Sequence, residues 1–306
     1  MNSGKKNGSE VTNMFWIDKH NKRKRRRGHQ IVNAFLREAW SSYDKKYVNC
    51  TYASFKRNRR MEDLLYDEQG GFCCYCMRHL DRYAHTSLEH VMPHNSVDKQ
   101  NRADYKKINY YKRFNKTFNR YVYYIHLNGL KRRWHVGVPY PHFCAYENLV
   151  LSCDGSLFTD EDNAKNCHPS KIHLCCNESR GNSRIVPLFF IPGIGDLIIY
   201  HRDGTIGISK VLTSPEQQKA FSESIDCLKL EHERLQIIRQ VWFYIAASGL
   251  YNADHVKAAA DDEVLRQEIM MDSGIPGRLV KRIKHPIYWS LLCDYFWFYS
   301  YFKNRL

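Results

Sequence analysis

The spacing of its cysteines constrains this chain more than any other feature. Cys73 and Cys76 form a C-x-x-C pair within GGFCCYCMRHLDRYAHTSLEHVMPH, residues 70–94. Two thiolates on such a tight turn can occupy adjacent corners of a tetrahedron around zinc. A second pair is needed to close the site, and the downstream candidates are Cys153 and the adjacent Cys175 and Cys176. A shared ion would close a loop of about a hundred residues and stabilise the region around it.

The charge balance favours a polyanionic partner. The chain has 47 Lys and Arg against 32 Asp and Glu, a formal net charge of +15, and nucleic acid is the leading partner for such an excess. The 11 cysteines are clustered in a way that fits metal ligation better than disulfides, which predicts a reducing compartment. The sequence has no apolar run of about 18 residues, and its N-terminus is polar and basic. We therefore expect a cytoplasmic protein with no membrane segment.

Periodicity and composition divide the chain into four regions. The block KHNKRKRRRGH repels itself, which predicts a flexible basic arm that could contact phosphates or only solubilise the chain. Apolar spacings of three and four predict helices before and after the Cys-rich part, and the Asp203-Gly204 turn predicts a hairpin. The aromatic C-terminal helix is either buried core or a partner interface. The predicted regions are the arm at 1–30, N-terminal helices at 31–68, a loop-rich unit at 69–192, and a β-hairpin plus helical region at 193–306.

The insertion at 95–147 has an unusual composition. From Lys99 to Arg133 it contains 11 Lys or Arg, one Asp and eight Tyr or Phe. Cations neutralise phosphates and release counterions, and aromatic faces can stack on exposed bases. The insertion is therefore predicted to be one wall of a nucleic-acid groove. The alternative is an amphipathic helix with core aromatics and solvated charges.

The order of several short motifs resembles that of the HNH endonuclease family. Cys-x-x-Cys is followed by Glu89-His90-x-x-Pro93, by NLVLSCDG, and by CCNESRGN. Together with the later PLF, IIYHRDGTIGI and IDCLKLEHERLQIIRQVW, these motifs look like the PtuB-like nucleases of Septu and retron antiphage systems, over roughly residues 66–245. The resemblance implies an α+β fold: a zinc-stapled ββα-metal core flanked by N-terminal helices and a C-terminal helical region.

The resemblance also implies a role for each matched residue. His90 would be the general base that takes a proton from the attacking water. Glu89 and Asn177 would ligate a catalytic divalent ion, Mg²⁺ or Mn²⁺. Asn148 would orient His90 through a hydrogen bond. Arg180 would hold a phosphate oxygen.

The structural zinc ion would be bound by four of the cysteines, Cys73, Cys76, Cys153 and Cys176. Cys74 and Cys175 are adjacent alternatives; Cys73 is preferred for its spacing and Cys176 because Asn177 follows it. The predicted activity is hydrolysis of phosphodiester bonds, with DNA favoured.

The predicted partner, implied by the resemblance alone, is a PtuA-like ATPase. The sequence does not decide between a monomer and a homo-oligomer. The competing interpretations are a non-catalytic, zinc-stapled nucleic-acid-binding protein and a freestanding HNH restriction or homing nuclease, although no helix-turn-helix signal accompanies the core.

Overall fold

Within the residues that it describes, the computed structural model of the chain has a mixed α+β fold with twelve α-helices and four two-stranded antiparallel sheets. The described residues are 16–42, 44, 46–48, 50–91, 110–115, 120–125, 140, 143–157, 174–183, 185–211, 214–284 and 286–306. The helices are α1 Lys22–Glu38, α2 Tyr52–Phe55, α3 Arg59–Glu68, α4 Cys176–Arg180, α5 Ile194–Leu197, α6 Pro215–Cys227, α7 Glu233–Ser248, α8 Ala253–Ala259, α9 Glu263–Asp272, α10 Gly277–Ile283, α11 Pro286–Asp294 and α12 Trp297–Lys303. The strands are β1 Trp40–Ser41, β2 Lys46–Tyr47, β3 Thr86–His90, β4 Tyr110–Asn115, β5 Arg120–Ile125, β6 Leu149–Cys153, β7 Ile198–Tyr200 and β8 Ile206–Ile208.

The prediction of a flexible arm over residues 1–30 is wrong for its described part. Helix α1 begins at Lys22, inside the basic block, and Asn21 caps it by accepting hydrogen bonds from two backbone amides. Ile17 is buried, and its N–H donates to the Phe189 carbonyl at 2.8 Å. The apolar face of α1, which includes Val32, packs on the core, and this burial outweighs the repulsion between the cations. Residues 1–15 lie outside the described residues.

The predicted N-terminal helices are present with different bounds. Helix α3 begins after Asn58, whose side chain accepts from the Met61 amide, and it ends at Glu68 just before the sequence QGG. Met61 and Leu65 are buried on its inner face. The short β1–β2 pair, which joins Trp40 to Tyr47, has no signal in the sequence.

Strands β3 and β6 and helix α4 form the part of the fold that positions the cysteines. The two strands pair in antiparallel register from Thr86 opposite Cys153 to His90 opposite Leu149. All five residues of β6 are buried. The segment between these strands contains the β4–β5 hairpin, whose backbone pairs from Tyr110 opposite Ile125 onward. Residues 110–115 and 120–125 of the basic insertion therefore form a hairpin rather than a helix.

The hairpin predicted at Asp203-Gly204 is confirmed as β7–β8. Asp203 accepts a hydrogen bond from the Thr205 amide at 3.0 Å, which tightens the turn. Gly204 has φ +81°, and a Cβ there would lie 2.2 Å from the Gln236 carbonyl oxygen. Only glycine satisfies both conditions.

The long helical pattern that follows is divided into shorter helices. Helices α6 and α7 are separated at 228–232, where Lys229 has φ +48°. In the aromatic C-terminal helices, Trp289, Phe298 and Tyr301 are buried, which confirms the core interpretation of this region. Truncating one such aromatic side chain would cost about 3–5 kcal/mol.

A single hydrophobic core runs through the described residues. Leu151 and Phe189 of the Cys-rich region belong to the same cluster as Trp242 and Phe302 of the C-terminal helices. The sequence predicted that residues 69–192 form a loop-rich unit of their own. The described residues of this region instead share one core with the C-terminal helices. Within the described residues, every helix is too short or too polar to cross a bilayer.

Candidate metal centre and active site

Four buried cysteines converge on one point. The sulfurs of Cys73, Cys76, Cys153 and Cys176 all lie within 4.8 Å of one another. The Sγ distance is 3.7 Å between Cys76 and Cys153 and 4.0 Å between Cys73 and Cys176. A Zn–S bond of about 2.3 Å in a tetrahedron gives S···S separations of about 3.8 Å. These cysteines are the predicted set, and their geometry fits a zinc ion.

The first pair is held on a tight backbone turn. The Cys73 amide donates to the Arg78 carbonyl at 2.8 Å, and Met77 adopts φ +65° to close the turn. The Tyr75 amide lies 3.5 Å from the Cys73 sulfur and donates to it. Amide hydrogen bonds of this kind stabilise thiolate charge at a metal site.

The second pair comes from two elements of the β3–β6–α4 unit. Cys153 is the last residue of β6, and Cys176 is the first of α4, with φ +54°. The sulfur of Cys175 lies 3.4 Å from the sulfur of Cys176, but Cys175 is not part of the quartet. Cys74 is also outside the quartet, and its amide bonds to the Leu151 carbonyl.

The protonation of the buried sulfurs depends on their mutual contacts. Burial acts to raise the pKa of Cys73, but hydrogen bonds with neighbouring thiols such as Cys153 and Cys176 lower it to about 5. Burial raises the pKa of Cys176 well above its ordinary value. Because zinc binds thiolates, ion binding would release the remaining protons and depend on pH.

The C-terminal helices contribute to the shell around the cysteines. The Tyr295 hydroxyl lies 3.6 Å from the Cys76 sulfur. The Arg78 guanidinium bridges Asp154 at 3.3 Å and Asp294 at 2.7 Å, which fixes the turn against α11. Groups in this position orient ligands and tune their basicity.

A polar cleft of about 220 Å³ lies beside this centre. It is lined by Tyr52, Leu88, Glu89, His90, Asn177, Glu178, Gly181 and Asn182. The structure therefore brings together three residues singled out in the sequence: Glu89 and His90 at the end of β3, and Asn177 in the first turn of α4.

One ring nitrogen of His90 has a defined partner. Its Nε2 lies 2.9 Å from the Phe143 carbonyl oxygen. A carbonyl only accepts, so Nε2 carries the proton in the neutral ring, and Nδ1 carries the lone pair. The Tyr52 ring packs edge-on against the imidazole, with centroids 4.9 Å apart. These two contacts fix the orientation of the ring.

The predicted role of Asn148, to orient His90 through a hydrogen bond, stays a prediction. The contact that defines His90 Nε2 is with the Phe143 carbonyl. Asn148 is buried, directly precedes β6, and accepts a hydrogen bond from the Val91 amide through its backbone carbonyl at 2.9 Å. It thus joins the chain beyond β3 to the start of β6.

The prediction that Arg180 holds a phosphate is wrong in this structure. Its side chain has no exposed surface and forms an ion pair with Glu89. It also donates to the carbonyls of His90 and Val91 and to the Tyr75 hydroxyl. A buried guanidinium needs such partners to offset its lost hydration. Arg180 therefore holds Glu89 and the end of β3 in place from the buried side of the cleft.

Glu89 has an environment that couples the cleft to the cysteine turn. Burial raises the pKa of its carboxyl, while the charge of Arg180 and a hydrogen bond from Tyr75 act in the opposite direction. The Tyr75 hydroxyl donates to Glu89 Oε1 at 3.2 Å and accepts from Arg180 at 2.9 Å.

Sequence reasoning missed four contributors to the site. Tyr75 lies between the paired cysteines, where an aromatic residue carries no strong motif signal. Phe143 acts through its backbone and Tyr52 from a separate helix, so neither is visible in a local pattern. Glu178 follows Asn177 in the motif CCNESRGN. That position was the one feature of the sequence that could have marked Glu178 as part of the site. The sequence offers five further possible ligands, Cys144, Cys167, His94, His168 and His173, each expected to be structural or incidental. Cys144 is buried and outside the quartet, and the other four lie outside the described residues.

Comparisons of the chain with protein-family models, with curated proteins and with solved structures find no match. The chemistry of the cleft is therefore inferred from its own residues.

Proposed function

We propose that this chain is a metal-dependent HNH endonuclease that hydrolyses phosphodiester bonds of nucleic acid, with DNA favoured. The observation that supports it most is that Glu89, His90 and Asn177 line one cleft beside a buried four-cysteine cluster. A purely structural zinc turn has no need of a carboxylate, an imidazole and an amide in a shared polar cleft. The β3–β6–α4 unit would then be the ββα-metal core.

His90 is the general base in this proposal. Its Nδ1 takes a proton from the attacking water, and the resulting imidazolium keeps its Nε2–H bond to the Phe143 carbonyl. A neutral imidazole near pH 7 suits this task, and a fixed ring orientation avoids reorganisation during the reaction.

Glu89 and Asn177 supply oxygen donors of the kind that Mg²⁺ and Mn²⁺ prefer. When bound, such an ion would stabilise the charge that develops at the phosphorus and the leaving oxygen. Arg180 and Tyr75 hold the Glu89 carboxylate in place. The zinc ion of the four cysteines would be structural, because these ligands leave no open position.

The biological setting follows from the resemblance to the PtuB-like nucleases. We propose that the enzyme acts in antiphage defence in the cytoplasm, together with a PtuA-like ATPase. Copurification with its genomic neighbour and a test of whether ATP alters cleavage would examine this part separately from the chemistry.

The enzyme proposal is tested by a cleavage assay over DNA and RNA substrates in Mg²⁺, Mn²⁺ and Ca²⁺. We expect cleavage in Mg²⁺ or Mn²⁺ and its loss in His90→Ala, with zinc content and melting temperature near those of the wild type. The control His201→Ala changes a histidine outside the cleft and should leave cleavage intact. Equal cleavage by wild type and His90→Ala would remove the proposal.

A non-catalytic, zinc-stapled nucleic-acid-binding protein is the second candidate. One observation favours it: Glu89 Oε1 already bonds to Arg180 and Tyr75 as an internal ion pair. Under this candidate the wild type binds nucleic acid, no metal in the series supports cleavage, and adding the genomic neighbour changes nothing.

A further inference from the structure

One face of α1 carries a concentration of cations. At 3.6 residues per turn, successive side chains are separated by about 100° around the axis. An arc of about 140° therefore holds Lys22, Arg23, Arg26, Arg27 and Arg37, with Asn33, Gln30 and Ala34 between them. We name these five cations the cationic face, and all five are exposed. We infer that the cationic face of α1 binds the phosphate backbone of a nucleic acid.

These cations are not neutralised by ion pairs. Within the described part of the chain, no carboxylate forms an ion pair with any of the five. The first turn of α1 contains no acid, and Glu38 is the only acid in the helix. Lys22 and Arg26, like Arg23 and Arg27, are four residues apart, and like charges at that spacing destabilise a helix. A bound polyanion would relieve this repulsion.

The opposite side of α1 holds the helix in place despite its charge. Gly28 lies against the Tyr146 ring so closely that a Cβ would be 2.4 Å from a ring carbon. Glu147 accepts from Arg25 at 3.1 Å and contacts His29 at 2.6 Å. The helix is therefore docked on the segment that directly precedes β6.

This docking connects the cationic face to the cleft. Phe35 of α1 packs edge-on against Phe143 with ring centroids 6.4 Å apart, and the Phe143 carbonyl bonds to His90. A nucleic acid bound on the face would thus contact a helix that packs against Phe143, the residue whose carbonyl orients the proposed general base. This last step rests on the proposed function, whereas binding itself does not.

The composition of the face favours nucleic acid over a membrane or a protein as its partner. Membrane-binding helices insert an apolar face, but the apolar face of α1 is buried in the core. Protein interfaces have an apolar centre, whereas Ala34 is the only apolar residue of this arc. About 26 Å of helix with cations along one side matches binding dominated by phosphate contacts.

The test compares two triple variants of equal charge. Arg23→Gln, Arg26→Gln and Arg27→Gln remove cations from the face. Lys257→Gln, Lys281→Gln and Lys284→Gln remove three exposed cations elsewhere. Affinity for duplex DNA is measured by fluorescence anisotropy without added divalent ions, from about 50 to 200 mM salt. The α1 variant should lose at least about tenfold in affinity, and its slope of log K against log salt should fall by about 2 to 3.

The control variant should stay close to the wild type, and circular dichroism should show both variants folded. Equal weakening by the two variants, or unchanged binding by the α1 variant, would overturn the inference. Binding of the face to anionic phospholipid vesicles in preference to DNA would also overturn it. Because no cleavage is needed, loss of binding in the α1 variant supports the inference even if the chain proves inactive. Conversely, if the wild type cleaves DNA and the α1 variant binds and cleaves it equally well, the inference about α1 fails while the nuclease proposal stands.

Discussion

Tyr75 and Glu89 are joined by a hydrogen bond of 3.2 Å from the phenol to the carboxylate. The backbone amide of the same tyrosine donates to the Cys73 sulfur. One residue therefore contacts both the cysteine centre and the polar cleft. A movement of the cysteine turn at Tyr75 would therefore displace a hydrogen-bond partner of Glu89 in the cleft.

Tyr75→Phe should weaken the divalent-ion site without loss of zinc. A hydrogen bond to a charged group contributes about 1.5–3 kcal/mol, so the Mg²⁺ concentration for half-maximal cleavage should rise about tenfold or more. Mn²⁺ affinity measured by electron paramagnetic resonance gives a readout independent of activity. The control Tyr83→Phe removes an exposed phenol that bonds to Asp63 and should change neither value. Unchanged Mn²⁺ affinity in Tyr75→Phe would refute the coupling.

Cys76→Ser should lose the bound zinc and much of the folding free energy, because a structural zinc ion contributes directly to folding. Zinc per chain, measured by mass spectrometry, should fall from one to near zero, with a large drop in melting temperature. Cys74→Ser is the matched control, since Cys74 is equally buried but outside the quartet. Loss of zinc in Cys74→Ser with retention in Cys76→Ser would contradict the ligand set.

Gly28→Ala should destabilise the protein although alanine favours helices. The added Cβ would lie 2.4 Å from Tyr146 Cγ and 2.8 Å from its Cβ, so the helix must move away. Overpacking of this kind costs about 1–3 kcal/mol, which urea denaturation resolves. In Gly277→Ala, where nothing lies within 4 Å of the new Cβ, stability should stay equal or rise slightly. Equal effects of the two substitutions would show that the contact with Tyr146 is not tight.

Glu147 should contribute stability that disappears in acid. Burial acts to raise its pKa, but the hydrogen bond and charge of His29 and the charge of Arg25 bring it below the ordinary value. A lowered carboxyl pKa gives stability that is complete above the unfolded pKa and lost as pH falls through the folded one. Glu147→Gln should therefore flatten the dependence of the unfolding midpoint on pH below about 4.5. The exposed Glu263→Gln is the control, and parallel curves for Glu147→Gln and wild type would contradict the prediction.

Features that depend on local chemistry were predictable from the sequence. The spacing of Cys73 and Cys76 and the turn at Asp203-Gly204 are set by a few adjacent residues, and both are present. The grouping of Glu89, His90 and Asn177 agrees with the motif order. Their catalytic roles remain predictions.

Features that depend on distant contacts were not predictable. The acceptors of Arg180 lie about 90 residues away, so its burial has no local signal. The basic block was expected to be flexible because its charges repel, yet α1 is held by Tyr146 and Glu147, more than a hundred residues away. The break between α6 and α7 has no Gly or Pro to mark it.

The contacts of Asp294 and Tyr295 with the cysteine turn have a consequence for biosynthesis. The four sulfurs are translated by residue 176, but the carboxylate that anchors Arg78 and the phenol beside Cys76 are added more than a hundred residues later. A nascent chain can therefore acquire zinc before its ligand shell is complete. For the proposed nuclease, this order would delay a rigid cleft until the ribosome has passed codon 295.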